Sequence, residues 1–352
     1  MSDTDIPDSH DSIPGFPAPS EASAVYGHDE QSRFLANAYR SGKLHHALLF
    51  DGAPGIGKAS LAFQFARHII ANPDWANAPD HIDPNVSKDV AHQIAMGSHA
   101  QVLYLTRPVD QKTGKHKTQL TIDETRRISH FLSRTVAGNG YRIVIVDPVN
   151  DMNANAANAL LKNLEEPTPR TLFILIAHSS GRLLPTIRSR CLQLRFSPLS
   201  DGDLRDALEH LGVTQKLDSH QLDRLISQSE GSPRIAAMLS EGGGLEILDA
   251  AHKVLSGQRF DASGAVKIAE ALSTRDGEPL YLLLTDHLLS ITANLACEAA
   301  NTDSFQAASL STLHASLAAK ISEGLRFNLD RRQTLSEVLQ SLHAAMAGRM
   351  AG

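Results

Sequence analysis

Short apolar runs alternate with stretches of helical period through the N-terminal half of the chain, and order is expected from near Val25. His46–Asp51 (HALLFD) is the first apolar run and leads straight into a glycine-rich loop. Leu61, Phe65, His68 and Ile69 then recur at helical spacing and predict a helix. Gln101–Leu105 (QVLYL), Arg142–Val146 (RIVIV), Thr171–Ala177 (TLFILIA) and Cys191–Phe196 (CLQLRF) read as further strands. Thr121 and Glu124 are spaced as a capping box for a helix carrying Ile128, Phe131 and Leu132. The alanine- and leucine-rich run from about Asn153 to Glu166 predicts another helix, stopped by Pro167. Asn72–His99, dotted with Pro, Asp and His, is expected to be a loop-rich insertion, and Lys112–Lys117 a turn with Gly114 at its tip. Wholly apolar strands between helices predict a parallel sheet covered on both faces.

Beyond Pro198 the pattern changes to Leu, Ala, Ser and Glu, with no further strand-like run. Asp201–Ser240 reads as a small helical unit, Glu241–Gly244 (EGGG) as a linker, and the rest as helices to the C-terminus. The expected division is a disordered tail over 1–23, an α/β domain over 24–197, a small helical domain over 198–242 and an all-helical domain over 245–352.

Composition narrows this picture in a few places. At 352 residues the chain exceeds what one hydrophobic core usually serves. A formal charge of −6 argues against wholesale non-specific nucleic-acid binding but leaves room for local basic patches. The two cysteines, Cys191 and Cys297, imply no disulfide framework and fit a reducing cytoplasm. The start, MSDTDIPDSHDSIPGFPAPS, lacks the apolar core of a signal peptide, and no run is read as a membrane span. A cytoplasmic protein is expected.

The candidate chemistry centres on Asp51–Ser60 (DGAPGIGKAS). Gly52, Gly57 and Lys58, with Gly55 between them, fit the phosphate-binding pattern G-x-x-x-x-G-K. Such a loop aims backbone N–H groups, a helix N-terminus and the lysine at phosphate oxygens. The next residue, normally a Ser or Thr that ligates magnesium, is Ala59; Ser60 comes one position late and is expected to point around the helix. Asp147 ends the RIVIV strand where such proteins hold magnesium, or it is only a strand-end turn former. The following position, a water-activating Glu in several hydrolysing families, is Pro148. Nucleotide binding without hydrolysis and a glycine turn with no ligand both remain open.

Arg182, Arg188 and Arg190 fall within nine positions before the CLQLRF strand. They fit either a solvated edge or a phosphate contact, and an arginine placed at a neighbour's γ-phosphate stabilises transition-state charge without a local metal. Arg234 in Gly231–Arg234 (GSPR) fits a phosphate contact or an ordinary exposed arginine. His81, His92 and His99 show no metal-ligand spacing, and no metal site is predicted.

The runs RIVIVDPVNDMNANAANALLKNLEEP and TLFILIAHSSGRLLPTIRSRC closely resemble the delta-prime family of the bacterial DNA polymerase III clamp loader. The likeness spans Val25 to about Arg234, and the helical C-terminal third matches only in general character. It implies an α/β AAA+ P-loop domain with a parallel sheet, a small helical lid and an all-α collar that joins a five-subunit ring. By this resemblance Ser189-Arg190-Cys191 presents Arg190 to ATP on an adjacent motor subunit, and Gly231–Arg234 matches the lid arginine motif. The strand Thr171–Ser179 ends in a nucleotide-sensing polar residue, His178 or Ser179. The implied partners are the motor and clamp-opening delta subunits, and, through the complex, the sliding clamp and primer–template DNA; no membrane is implied. Some family members carry a cysteine-ligated zinc module, but no cysteine precedes Cys191, so no zinc is expected. ATP or ADP held without hydrolysis is the only cofactor left open. The alternatives are an active clamp-loader ATPase, a pure scaffold of the ring, and, more distantly, a small-molecule P-loop kinase.

Overall fold

The computed structural model describes residues 12–110, 116–117, 119–133, 140–179, 181, 183–241, 243–274, 277–327 and 329–350, with the backbone alone for 348–350. Arg182, Lys112, Gly114, Lys115, Gly242 and the first eleven residues lie outside them. By internal packing the chain forms two compact units, Met1–Ala237 and Met238–Gly352.

The first unit is built on five parallel strands: β1 (Ala47–Asp51), β2 (Val102–Leu105), β3 (Arg142–Val146), β4 (Thr171–Ala177) and β5 (Leu192–Arg195). Their order across the sheet is β2-β3-β4-β1-β5. Register is set by pairs such as Val144 with Phe173, Leu49 with Leu175 and Leu48 with Leu192. All seven residues of β4, the central strand, are buried, which is why it reads as an unbroken apolar run instead of an alternating one. Leu49, Val144, Val146, Phe173 and Leu175 share one face of the sheet. They pack under α4 (Ile122–Ser133), through Ile128 and Leu132, and under α5 (Ala154–Glu165), through Leu160 and Leu164. On the P-loop side α2 (Lys58–Ala71) packs against β4 and against α1 (Asp29–Arg40), burying Leu61, Phe63, Phe65 and Ile69.

Helix starts follow local chemistry. The Asn153 side chain accepts from the Ala156 N–H at 2.9 Å and caps α5. The Glu124 carboxylate is paired with Arg127 at 2.7 Å, an i,i+3 bridge on the surface of α4. The insertion expected to be loop-rich holds a short turn of 3-10 helix, Trp75–Asn77, and an eight-residue helix, α3 (Lys88–Ala95), capped by Ser87. Helix α3 is only eight residues long, with Ile94 its one buried side chain, so its apolar face is easily lost among the Pro, Asp and His around it. The four-residue α6 (Pro185–Arg188) is too short to show a period, while the amphipathic α1, with Leu35, Ala36 and Tyr39 buried, went unread.

Residues 198–237, expected as part of a separate lid, pack within the first unit, in α7 (Asp201–His210), α8 (Ser219–Gln228) and the start of α9 (Pro233–Ser240). The second unit holds α10 (Gly244–Ser256), α11 (Ala262–Leu272), α12 (Glu278–Ala300), α13 (Ser304–Phe327) and α14 (Arg331–Met350). The EGGG segment is a helix–helix turn, not an extended linker: Gly244 is the buried first residue of α10, and a Cβ there would meet the Leu239 Cα at 2.7 Å. Helices α12 and α13 form a hairpin, and α14 packs against α10 and α11. Helix α12 corrects the expectation of no spanning run. By length and composition, with a mean hydropathy of 1.3, it is the one helix among the described residues able to cross a membrane. Its Tyr281, Leu284 and Leu288 are instead buried within the unit.

Leu160→Ala, at a fully buried position, should cost about 2–5 kcal/mol and Asn153→Ala about 1 kcal/mol, both read from urea unfolding midpoints.

Candidate functional site

Parallel strands gather the P-loop, the end of β3 and the end of β4 at one edge of the sheet, their C-terminal ends. The turn between β1 and α2 needs its glycines for space as much as for dihedrals. A Cβ on Gly52 would stand 2.4 Å from the Phe196 carbonyl oxygen, and one on Gly55, at φ +75°, 2.5 Å from Ser232 Oγ and 2.6 Å from Arg234 Cβ. Gly57 supplies the N-cap of α2, so the first N–H groups of that helix open into the cleft.

The cleft has a volume of about 190 Å³, smaller than the roughly 300 Å³ and upward of ordinary small-ligand pockets. Gly55, Gly57, Lys58, Ala59, Ser60, Asp147, His178 and Arg234 all line it, so the P-loop, the end of β3, the end of β4 and the GSPR turn meet there. Ser60, expected to point around the helix, faces the cleft beside Ala59. Lys58 is buried, and its ammonium donates to the Gly52 carbonyl at 2.7 Å and to that of Ala53. Asp147 is buried as well, and the Tyr104 hydroxyl donates to its Oδ2 at 3.3 Å. The Arg234 backbone N–H donates to the Gly55 carbonyl at 3.3 Å, and Ser232 Oγ to that of Pro54 at 3.4 Å, so one backbone and one side-chain bond fasten the small helical segment to the carbonyls of the loop.

This cradle fits an anion: glycine backbone, a helix N-terminus and two cationic side chains converge on it. The metal position does not fit. Ala59 brings no oxygen to it, and Pro148, the cap of a turn of 3-10 helix, brings no base. Among the described residues no three His, Cys, Asp or Glu side chains converge as metal ligands. His81 lies beside Asp80 at 3.2 Å on the surface, and His92 is exposed on α3.

The N-terminal segment forms one wall of the cleft, and the expected tail over 1–23 is therefore ordered from Ser12 onward. Ile13, Phe16, Pro17, Pro19 and Ala22 line it. The buried Arg67 guanidinium of α2 holds the segment in place by donating to the Ser20 carbonyl at 2.8 Å and to that of Ala22. A buried cation needs such partners, and the carbonyls of an irregular strand supply them. Ser23 Oγ adds a hydrogen bond of 2.8 Å with His210 of α7.

Three further residues escaped the sequence reading. His28, 2% exposed, donates from Nε2 to the Ile56 carbonyl at 2.6 Å and sets its ring edge-on to Phe196, bracing the P-loop from beneath. Asn150 accepts from the His178 N–H and donates to the Ser179 carbonyl, both at 2.8 Å, and fixes the end of β4. Glu165 lies inside the NLEEP run and pairs with Arg190. A lone His, Asn or Glu carries no periodicity, so only the quoted motif around Glu165 offered any hint.

Arg190 lies apart from this cleft. It follows α6 and precedes β5, at the opposite edge of the sheet, with a side chain 35% exposed. Its Nη2 donates to Glu165 Oε1 at 2.8 Å and its Nη1 to the Thr186 carbonyl at 3.0 Å. Arg188 is exposed nearby.

Residues 27–200 match the family described as DNA polymerase III, delta subunit. Several of the relatives similar to this chain are delta-prime subunits of DNA polymerase III. The delta-prime subunit of Pseudomonas aeruginosa is 34% identical over 200 residues, 56% of each chain. That of Bacillus subtilis is 29% identical over 251 residues, covering 71% of this chain and 67% of the relative. The tau subunit of Escherichia coli is 26% identical over 276 residues, 76% of this chain and 40% of that one. The chain thus spans about half the length of the first of these curated relatives and less of tau. A gamma-subunit-related protein from Thermotoga maritima superposes with a TM-score of 0.44 at 17% identity, covering 90% of this chain and 99% of that one. The parallel five-stranded sheet, the P-loop and the helical C-terminal unit are the architecture expected from the sequence.

Burial holds the His28 imidazole below its usual range, against the opposing pull of its bond to Ile56, and the Lys58 ammonium adds to the lowering. Below about pH 6.5 the unfolded chain takes up a proton that folded His28 resists, so stability must fall as pH drops through that point. Urea midpoints measured from pH 7.5 to 5 should decline, and His28→Gln should flatten part of that decline.

Proposed function

We propose that the chain is a delta-prime-type member of a clamp-loader ring that hydrolyses little or no ATP itself and donates Arg190 to the ATP site of a neighbouring motor subunit. The observation that carries this reading is the polarity of the sheet. Leu48 of β1 pairs with Leu192, two residues beyond Arg190, while the P-loop begins where β1 ends. The five residues of β1 alone amount to about 16 Å. Arg190 lies at the end of the sheet away from its own cleft, and a half-exposed arginine there supports the reading that it meets a phosphate on another chain.

The chain's own cleft supports the silent half of the proposal. A loop with Lys58 and no hydroxyl at Ala59, beside Asp147 followed by Pro148, retains anion-binding parts and lacks the groups that place metal and water. In this reading ATP or ADP is held without turnover by Gly52, Gly55, Gly57, Lys58, Asp147 and Arg234. The proposed partners are the motor and delta subunits through the helical second unit and, through the complex, the sliding clamp and primer–template DNA, in the cytoplasm.

The test is ATP turnover of the reconstituted loader, stimulated by primed DNA and clamp. Arg190→Ala should leave the ring intact by gel filtration and lower turnover. Arginine fingers contribute on the order of 10³–10⁵ at a single site, diluted here by other active sites in the ring. Unchanged turnover would reduce the chain to a scaffold. Lys58→Ala should weaken binding of a fluorescent ADP analogue to the isolated chain yet barely change loading. Turnover by the isolated wild-type chain would instead favour an active ATPase.

A further inference from the structure

We infer that Glu165 is the positioning residue for Arg190: it aims the guanidinium at the edge of the domain before a neighbour's phosphate arrives. This inference rests on the trans-acting reading of Arg190. The two residues belong to the two motifs quoted from the sequence, NLEEP and SRC, and the fold joins them by a bond of 2.8 Å.

Glu165 stands on a rigid base. It is the last residue of α5, whose Leu160 and Leu164 are buried beneath the sheet. The Leu164 carbonyl accepts a 3.0 Å hydrogen bond from His46 Nε2, at the entry to β1, and Pro167 prevents the helix from running on. The C-terminal end of a helix favours a nearby cation, so α5 and its terminal carboxylate attract Arg190 together.

Arg190 has no such base of its own. It leaves a four-residue helix with a long side chain of many rotamers, and more than a third of that side chain is open to water. Glu165 on Nη2 and the Thr186 carbonyl on Nη1 hold it from one side. Of the five N–H donors of a guanidinium, these two bonds leave about three for an incoming anion. A side chain ordered in advance loses less freedom when it binds, and it meets developing charge without first being reoriented. An ion pair this exposed, 35% and 48%, adds little to stability. Its consequence lies in where the guanidinium points.

The experiment compares wild type, Glu165→Gln, Glu165→Asp, Arg190→Ala and the Glu165→Gln/Arg190→Ala pair in the full reconstituted loader, by stimulated ATP turnover with kcat and KM separated. Glu165→Gln should lower kcat about 3- to 10-fold, the scale of a misaimed group, with KM for ATP unchanged. Glu165→Asp, which keeps the charge, should recover part of the loss, and Glu165→Gln should add nothing once Arg190 is gone. A fall with Arg190→Ala but none with Glu165→Gln overturns the positioning role and leaves the finger standing. No fall with Arg190→Ala overturns the finger, and the positioning role with it. Loss of the ring with Glu165→Gln, or equal losses in the presence and absence of Arg190, makes Glu165 a structural residue and also overturns the inference.

Discussion

Five strands running the same way give this domain two chemically different edges, and the rest of the first unit depends on that polarity. At the C-terminal edge the chain must turn from strand to helix, and there it gathers N–H groups, the glycines of the P-loop and the buried Asp147 around one cleft. At the N-terminal edge it returns from helix to strand, and there it brings the end of α5 beside the turn after α6. An anion cradle and an outward arginine therefore occupy opposite ends of the same short strands.

The cradle in this chain is walled in by its own neighbours. The P-loop is braced below by His28, crossed by the backbone of the GSPR turn and flanked by the N-terminal segment held on Arg67. Each contact satisfies a carbonyl or a buried cation, and the penalty for leaving such a group unmet away from water is high. Ala59 and Pro148 stand in the two positions that elsewhere handle metal and water. The second unit carries none of this chemistry: its helices bury Leu, Ala and Tyr side chains with a few threonines, and Thr285 and Thr292 bond back to carbonyls of their own helix.

Legibility in the sequence followed the strength of local patterns. Fully buried strands are unbroken apolar runs, so RIVIV and TLFILIA appear in the structure with the boundaries their hydrophobicity suggested. The glycine loop and the helix ended by Pro167 carry steric requirements that only certain residues meet, and these too were legible. Helix α3 was not, because its eight residues offer barely two turns of pattern inside a stretch rich in Pro, Asp and His. Nor was the order of residues 12–23, which depends on a guanidinium nearly fifty positions further along the chain.

By itself the sequence determined the element types, the parallel sheet and the missing hydroxyl, since each is written in contiguous residues or in spacing along one helix or strand. The tertiary structure decided which of these meet. It brought Arg234 to the P-loop, seated the N-terminal segment in the cleft, and set Glu165 against Arg190 on the opposite edge. Those contacts depend on strand order and helix placement, which arise from packing the whole sheet at once and leave no periodic trace in the chain.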